Sequence, residues 1–338
     1  MIEKIKIKNL TVFEELEIAT NYPINVFIGE NGTGKTQLLK FIYMILNFDN
    51  TYNLDRNASA FPITIKNFFG SGLDSITDLL NNKKEEDAYF ILHHEKEDLG
   101  YNIMHSLLNE LIDVVLGNWN FYGNSIYIPA KNMLTHSKGL PAMKKEYGSN
   151  MPFDETYINI IEKASKWNKQ EIPEIAKEIV LILEDIMDGV VKIVNEVFYI
   201  KKRNGRMISF DFEAEGLKKI GLLWQLLMNE SITEGSILLW DEPEANLNPN
   251  LTSIIANILL ELSRNGVQIF LSTHSYFLAE YLDVLEHEEN ECMFHSLYKT
   301  ENNGVKCESN ASFSKLSNNL IIDEHINLYD AEIEKVMG

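Results

Sequence analysis

Ile24-Asn25-Val26-Phe27-Ile28-Gly29-Glu30-Asn31-Gly32-Thr33-Gly34-Lys35-Thr36 runs from a short apolar stretch into a glycine-rich turn. Leu38, Leu39, Phe41, Ile42, Ile45 and Leu46 then recur at helical spacing, so the segment reads as strand, turn, helix. Residues 29–36 fit the pattern G-x-x-x-x-G-K-[ST], in which glycines let backbone N–H groups close around phosphate oxygens at the positive end of a helix. Glu30, Asn31, Gly32, Thr33 and Gly34 form the expected cradle. Lys35 is expected to reach the β and γ phosphates, and the Thr36 hydroxyl a magnesium ion. A plain glycine turn ahead of a core helix does not call for Lys-Thr at its end.

Working outward, Ile5 and Ile7 alternate with Lys4, Lys6 and Lys8, an edge-like first strand without the apolar core of a secretion signal. Beyond Phe48 the composition shifts to Asn and Asp clusters, a short strand at Tyr89–Leu92 and an apolar stretch at Ile103–Leu116 that reads as a helix. Ser125–Ile128 reads as a buried strand, residues 152–197 as mostly helical with 179–197 packed in a helical lobe, and Asn204-Gly205 as a tight hairpin turn. Strand and helix then alternate through Ile237–Trp240, Leu251–Arg264, Val267–Ser272 and Tyr276–Leu285, which implies a parallel sheet. A hairpin around Asn302-Asn303-Gly304 and an acidic helix near Ile326–Met337 close the chain.

Ser236-Ile237-Leu238-Leu239-Trp240-Asp241-Glu242 is an apolar strand ending in two acids. Asp241 is placed to hold magnesium, and Glu242 to orient and deprotonate an attacking water. The continuation Pro243-Glu244-Ala245-Asn246-Leu247-Asn248-Pro249 and the later Thr273-His274-Ser275 complete a pattern that resembles the Walker B, D-loop and switch-histidine segments of ABC-type ATPases. With the string Gly29-Glu30-Asn31-Gly32-Thr33-Gly34-Lys35-Thr36, the resemblance is to the RecF, SMC and OLD-like branch.

That resemblance implies an α/β fold: an ABC-type P-loop NTPase with a mixed or parallel sheet core and an inserted α-helical lobe. The ATPase core would comprise 1–47 and 199–338, with an insertion at 48–124 and a Q-loop-like strand and helical lobe at 125–198. Catalytic roles fall to Glu242, His274 and Lys35, and metal contacts to Thr36 and Asp241, with ATP and Mg²⁺ as cofactors. The family acts as dimers in which a signature segment caps the partner's nucleotide. Here that segment reads Phe212-Glu213-Ala214-Glu215-Gly216-Leu217-Lys218-Lys219 and lacks the family serine, leaving Gly216 and Lys218 or Lys219 to face the partner's phosphates. Lys131 and Asn132 stand where the Q-loop glutamine would be.

Composition narrows the partners. The 338 residues carry a net charge of −20, which repels phosphate backbones and gives no support to a nucleic-acid coat. Lys201, Lys202, Arg203 and Arg206 form a basic patch, read as a solvated hairpin face or a nucleic-acid contact. Two cysteines form no disulfide framework, no apolar run is long enough to span a bilayer, and a cytoplasmic location is expected. His93-His94 and Asp323-Glu324-His325 lack metal-ligand spacing. Asn168-Lys169-Gln170-Glu171 matches a guanine-reading motif only loosely, so ATP is preferred to GTP. The reading favoured is an ATPase similar to OLD and PARIS-type subunits. It would form an ATP-dependent homodimer or higher oligomer and control a separate effector, such as a nuclease, in an anti-phage defence or toxin system. The alternative is a RecF- or SMC-like repair ATPase that binds DNA directly.

Overall fold

The computed structural model describes residues 1–51, 67–69, 76–81, 87–94, 97–106, 109–116, 124–148, 151, 153–286, 291–300 and 304–337. Its centre is a six-stranded sheet in the order β14-β13-β3-β12-β11-β7. Strands β3 (Ile24–Gly29), β7 (Ser125–Ile128), β11 (Ile237–Asp241), β12 (Gln268–Thr273) and β13 (Cys292–Lys299) run parallel, and β14 (Val305–Asn310) pairs antiparallel with β13. Every residue of β3, β7, β11 and β12 is buried, which is why these strands read as continuous apolar runs rather than alternations.

Each face of this sheet has its own core. On one side Phe27, Leu239 and Phe270 meet α1 (Lys35–Thr51) and a five-stranded antiparallel sheet. That sheet runs β2 (Phe13–Ala19), β1 (Lys4–Leu10), β4 (Asp87–His94), β5 (Glu97–Ser106) and β6 (Asn109–Leu116). On the other, Val26, Trp240 and Leu271 pack against a helical layer of α3 (Glu155–Ala164), α4 (Lys177–Met187), α5 (Glu215–Met228), α6 (Thr252–Arg264) and α7 (Tyr276–Leu285). A short helix α2 (Leu140–Tyr147) precedes them, and α8 (Leu320–Met337) closes the described chain. A small sheet, β8 (Gly189–Val194), β9 (Val197–Lys202) and β10 (Met207–Ser209), sits beside α4 and α5.

Several expectations are corrected. β1 is not an edge: β2 flanks it on one side, with Lys4 and Lys6 bonded to Glu17, and β4 on the other. The stretch 103–116 is no helix but most of the β5–β6 hairpin, in which Ile103 pairs with Ile112 and Met104 with Leu111. Its β-branched Ile112, Val114 and Val115 favour that pleated surface. The stretch 179–197 is helical only to Met187, where Asp188 turns left-handed (φ 49°) and β8 begins. The Asn204-Gly205 turn stands as expected, with Gly205 at φ 87° and the Lys202 amide donating to the Arg206 carbonyl. Asn302 and Asn303 lie outside the described residues.

Because β3, β12, β11 and β7 are parallel, Gly29, Thr273, Asp241 and Ile128 leave the sheet at one edge. Carboxyl ends of parallel strands are where open α/β sheets bind ligands.

Candidate nucleotide site

The cradle is built at the end of β3. Gly34 takes φ 87°, and a Cβ there would sit 2.5 Å from the Phe13 ring, so backbone conformation and packing both demand glycine. Gly32, at φ 79°, has the same backbone need. Thr33 Oγ1 donates to the Glu30 carbonyl at 2.9 Å. Lys35 lies 5% exposed, and its ammonium donates to the Gly29 and Glu30 carbonyls, both at 2.7 Å. Burial pulls its pKa down to about 8, against the opposing pull of Glu242, Asp241, Glu30 and Glu244.

Beside the cradle, Thr36 Oγ1 is 3.1 and 3.0 Å from the two carboxylate oxygens of Asp241, 205 residues further on. The Ser272 hydroxyl donates to the same carboxylate, and the Tyr127 hydroxyl donates at 3.4 Å. A hydroxyl and a carboxylate converging this way are hard oxygen donors of the type Mg²⁺ takes, usually together with substrate phosphates. Among the described residues no group of three His, Cys, Asp or Glu side chains forms a self-contained metal cluster.

Glu242 leaves β11 with φ 48°, and its amide donates to the Ser272 carbonyl at 3.1 Å. Its Oε1 stands 3.3 Å from His274 Nε2. Burial first, and then the Lys35 ammonium, lower the His274 pKa, with Glu242 and Asp241 opposing. The ring is therefore neutral near neutral pH, and a tautomer protonated at Nε2 donates to Glu242. Lys35, Thr36, Asp241, Glu242 and His274 thus meet at one edge, drawn from three distant stretches of chain.

Other expected residues are placed differently. Gly216, in the first turn of α5, packs on the chain's own 242–247 turn, where a Cβ would lie 2.9 Å from the Asn246 carbonyl oxygen. Lys218 is buried and bonded to Glu215 at 2.7 Å. Asn132 is buried, its Oδ1 accepting from the Leu134 amide while its Nδ2 has no partner, and Lys131 is exposed. In the basic hairpin Lys202 is bonded to Glu213 at 3.0 Å and Arg203 to Asp185. His93 pairs with Asp98, and the His325 ring stacks on Tyr276 at 4.0 Å.

Residues 139–280 match the family described as "AAA domain, putative AbiEii toxin, Type IV TA system". Over 55 residues the chain is 44% identical to the DNA replication and repair protein RecF of Oceanobacillus iheyensis. That match spans 16% of this chain and only 15% of the RecF length. An Smc head bound to the C-winged helix domain of ScpA superposes with a TM-score of 0.57 at 12% identity, covering 93% of this chain and 98% of that one. The Smc head with an extended coiled coil bound to the C-terminal domain of ScpA, from Pyrococcus furiosus, gives 0.53 at 11% identity, over 96% and 99%. The SMC head domain from Thermotoga maritima gives 0.50 at 14%, over 91% and 98%. The fold is that of the SMC head domains, an α/β ABC-type P-loop architecture.

Three residues of this ATPase fold with no role in the sequence reading touch the site. Ser272 and Tyr127 hold the Asp241 carboxylate, and neither has a local motif: each is found only from the register that sets β12 and β7 beside β11. Glu244 accepts from Thr273 Oγ1 at 2.6 Å and from the His274 amide at 3.3 Å. Its burial raises the carboxyl pKa, and its second oxygen is buried without a partner. Its place three residues past Asp241 was the available signal. Lys219 is 3% exposed and donates to the Glu242 carbonyl at 2.6 Å. Among the described residues no helix is long and apolar enough to cross a membrane.

Proposed function

We propose that the chain binds ATP with magnesium in the 29–36 cradle, hydrolyses it, and serves in the cytoplasm as the dimerising regulatory subunit of a prokaryotic defence or toxin system whose effector is a separate chain. The observation that carries the hydrolytic part is the Thr36 hydroxyl lying 3.0–3.1 Å from the Asp241 carboxylate. Bound magnesium would supply neutralisation of triphosphate charge at that point. Lys35 adds a fixed cation and the cradle amides their donors. Glu242 is the general base, and neutral His274 holds its carboxylate toward the cradle. The core of 1–47 and 199–338 carries this chemistry, with the segments 48–124 and 125–198 given to regulation and partner contact.

The toxin named in the matching family's description supports the defence side, and the similar Smc heads bound to ScpA domains support control through a second protein. Gly216 and Lys218 are retained as candidate contacts to a partner subunit's nucleotide. The RecF match favours a second reading, direct DNA binding. Against it, the hairpin's Lys202 and Arg203 are committed to Glu213 and Asp185, and the chain carries −20 overall. Turnover of Mg-ATP by purified protein tests the proposal, with Glu242→Gln as the matched control. Phosphate release near wild type in that variant would refute the assignment.

A further inference from the structure

The 242–247 turn has a strained start. Glu242 is a non-glycine residue at φ 48°, a backbone region that residues other than Gly, Asn and Asp occupy only when the surroundings enforce it, and Asn246, of a type that tolerates it, follows at φ 64°. The Glu242 amide is anchored to β12 through the Ser272 carbonyl and hydroxyl. The Glu242 carbonyl accepts from the Ala245 amide at 3.1 Å and from the Lys219 ammonium at 2.6 Å. Lys219 belongs not to the sheet but to α5, three residues past Gly216, and Gly216 presses on the other end of the same turn at Asn246. Two successive turns of α5 thus grip both ends of the segment that carries Glu242.

A lysine buried this deeply is costly unless its charge is answered. Lys219 is ringed by carboxylates: Glu244 and Glu242 in the turn, Asp241 at the end of β11, and Glu215 on its own helix. It spends its hydrogen bond on a backbone carbonyl rather than on any of those acids, which places the cation where it fixes the path of the chain between Asp241 and Glu244.

We infer that Lys219 is a positioning residue for hydrolysis: from the helical layer, its ammonium sets the Glu242 backbone and so the aim of the Glu242 carboxylate at the cradle. This rests on the proposed ATP turnover. Lys219 donates to the Glu242 carbonyl rather than to a cradle group, so it should leave nucleotide binding alone while controlling the chemical step.

The test compares wild type, Lys219→Met and Lys219→Arg for Mg-ATP affinity, KM and kcat. For Lys219→Met we expect kcat to fall by about tenfold or more with KM and ATP affinity within about threefold, the split expected of a group that acts only on the chemical step. Lys219→Arg keeps charge and donors and should recover a substantial part of kcat. Hydrogen exchange over 242–247 should accelerate in Lys219→Met whether or not ATP is turned over, and this separates the two claims. An inactive wild type defeats the functional reading, whereas unchanged exchange or wild-type kcat in Lys219→Met defeats the role of Lys219. If Lys219→Met does not fold, Lys219→Gln, which keeps a polar side chain but removes the ammonium, should give the same fall in kcat at unchanged affinity. Equal loss of kcat in Lys219→Met and Lys219→Arg would also overturn it.

Discussion

Lys35 shows how a single residue's setting gives a prediction. Its ammonium is buried against two carbonyls of its own loop, where a phosphate oxygen is a better acceptor than a peptide oxygen. Lys35→Ala should therefore abolish measurable Mg-ATP binding in calorimetry, and micromolar affinity in that variant would contradict the cradle. His295 gives a different kind of prediction. It is fully buried between Ser309 and Asn25, and burial holds its pKa down to about 3, against ~6.5 in an unfolded chain. Between those values the unfolded chain takes up a proton that the folded one refuses. Stability therefore falls as pH drops below about 6.5, by up to ~1.4 kcal/mol per pH unit. The urea midpoint should decline from pH 6.5 to 4.5, and less so in His295→Gln. Parallel declines would show that another group governs acid sensitivity.

At the scale of elements, the parallel register of β3, β12 and β11 performs the assembly. Pairing Thr273 with Ile28 and Asp241 with Ser272 brings three strand ends to one edge, and no local sequence feature states that pairing. Gln268, at the start of β12, ties this sheet to the N-terminal one. Its Oε1 accepts from the Ile2 amide at 2.7 Å, and its Nε2 donates to the carbonyls of Ile2 at 2.8 Å and Thr20 at 3.0 Å. Gln268→Leu would leave the Ile2 amide buried without its acceptor and take one donor each from the Ile2 and Thr20 carbonyls, at a cost of about 1–3 kcal/mol. Urea denaturation reads this directly, and a loss below about 0.5 kcal/mol would mean that the groups find other partners. The same scale explains the two misread segments. At 103–116 the apolar residues cluster without a clean alternation, and a short apolar run does not distinguish helix from strand until a neighbour pairs with it. At Asp188 a helix stops on a residue with no strong breaker before it, and only the left-handed turn into β8 ends it.

For the whole molecule, the cradle opens to solvent at a sheet edge, with Glu30, Asn31, Gly32 and Thr36 exposed. Completion by a second copy is the arrangement proposed. Glu242→Gln, which keeps the shape of the site but removes the base, should then accumulate a dimer in Mg-ATP by light scattering while its turnover falls about a hundredfold or more. A monomer at all nucleotide concentrations would count against dimerisation while leaving hydrolysis to the turnover assay.

The sequence by itself determined which groups make up the candidate site: the order of cradle, acid pair and histidine, the glycines that the cradle backbone requires, and the fully buried parallel strands. These follow from local constraints, because φ at Gly32 and Gly34, strand burial and helix spacing are written in adjacent residues. Only the tertiary structure decided how those pieces are held. Ser272, Tyr127, Glu244 and Lys219 act through strand register and helix packing over long separations in the chain. A buried hydroxyl or ammonium has no sequence signature until folding supplies the oxygen it must satisfy.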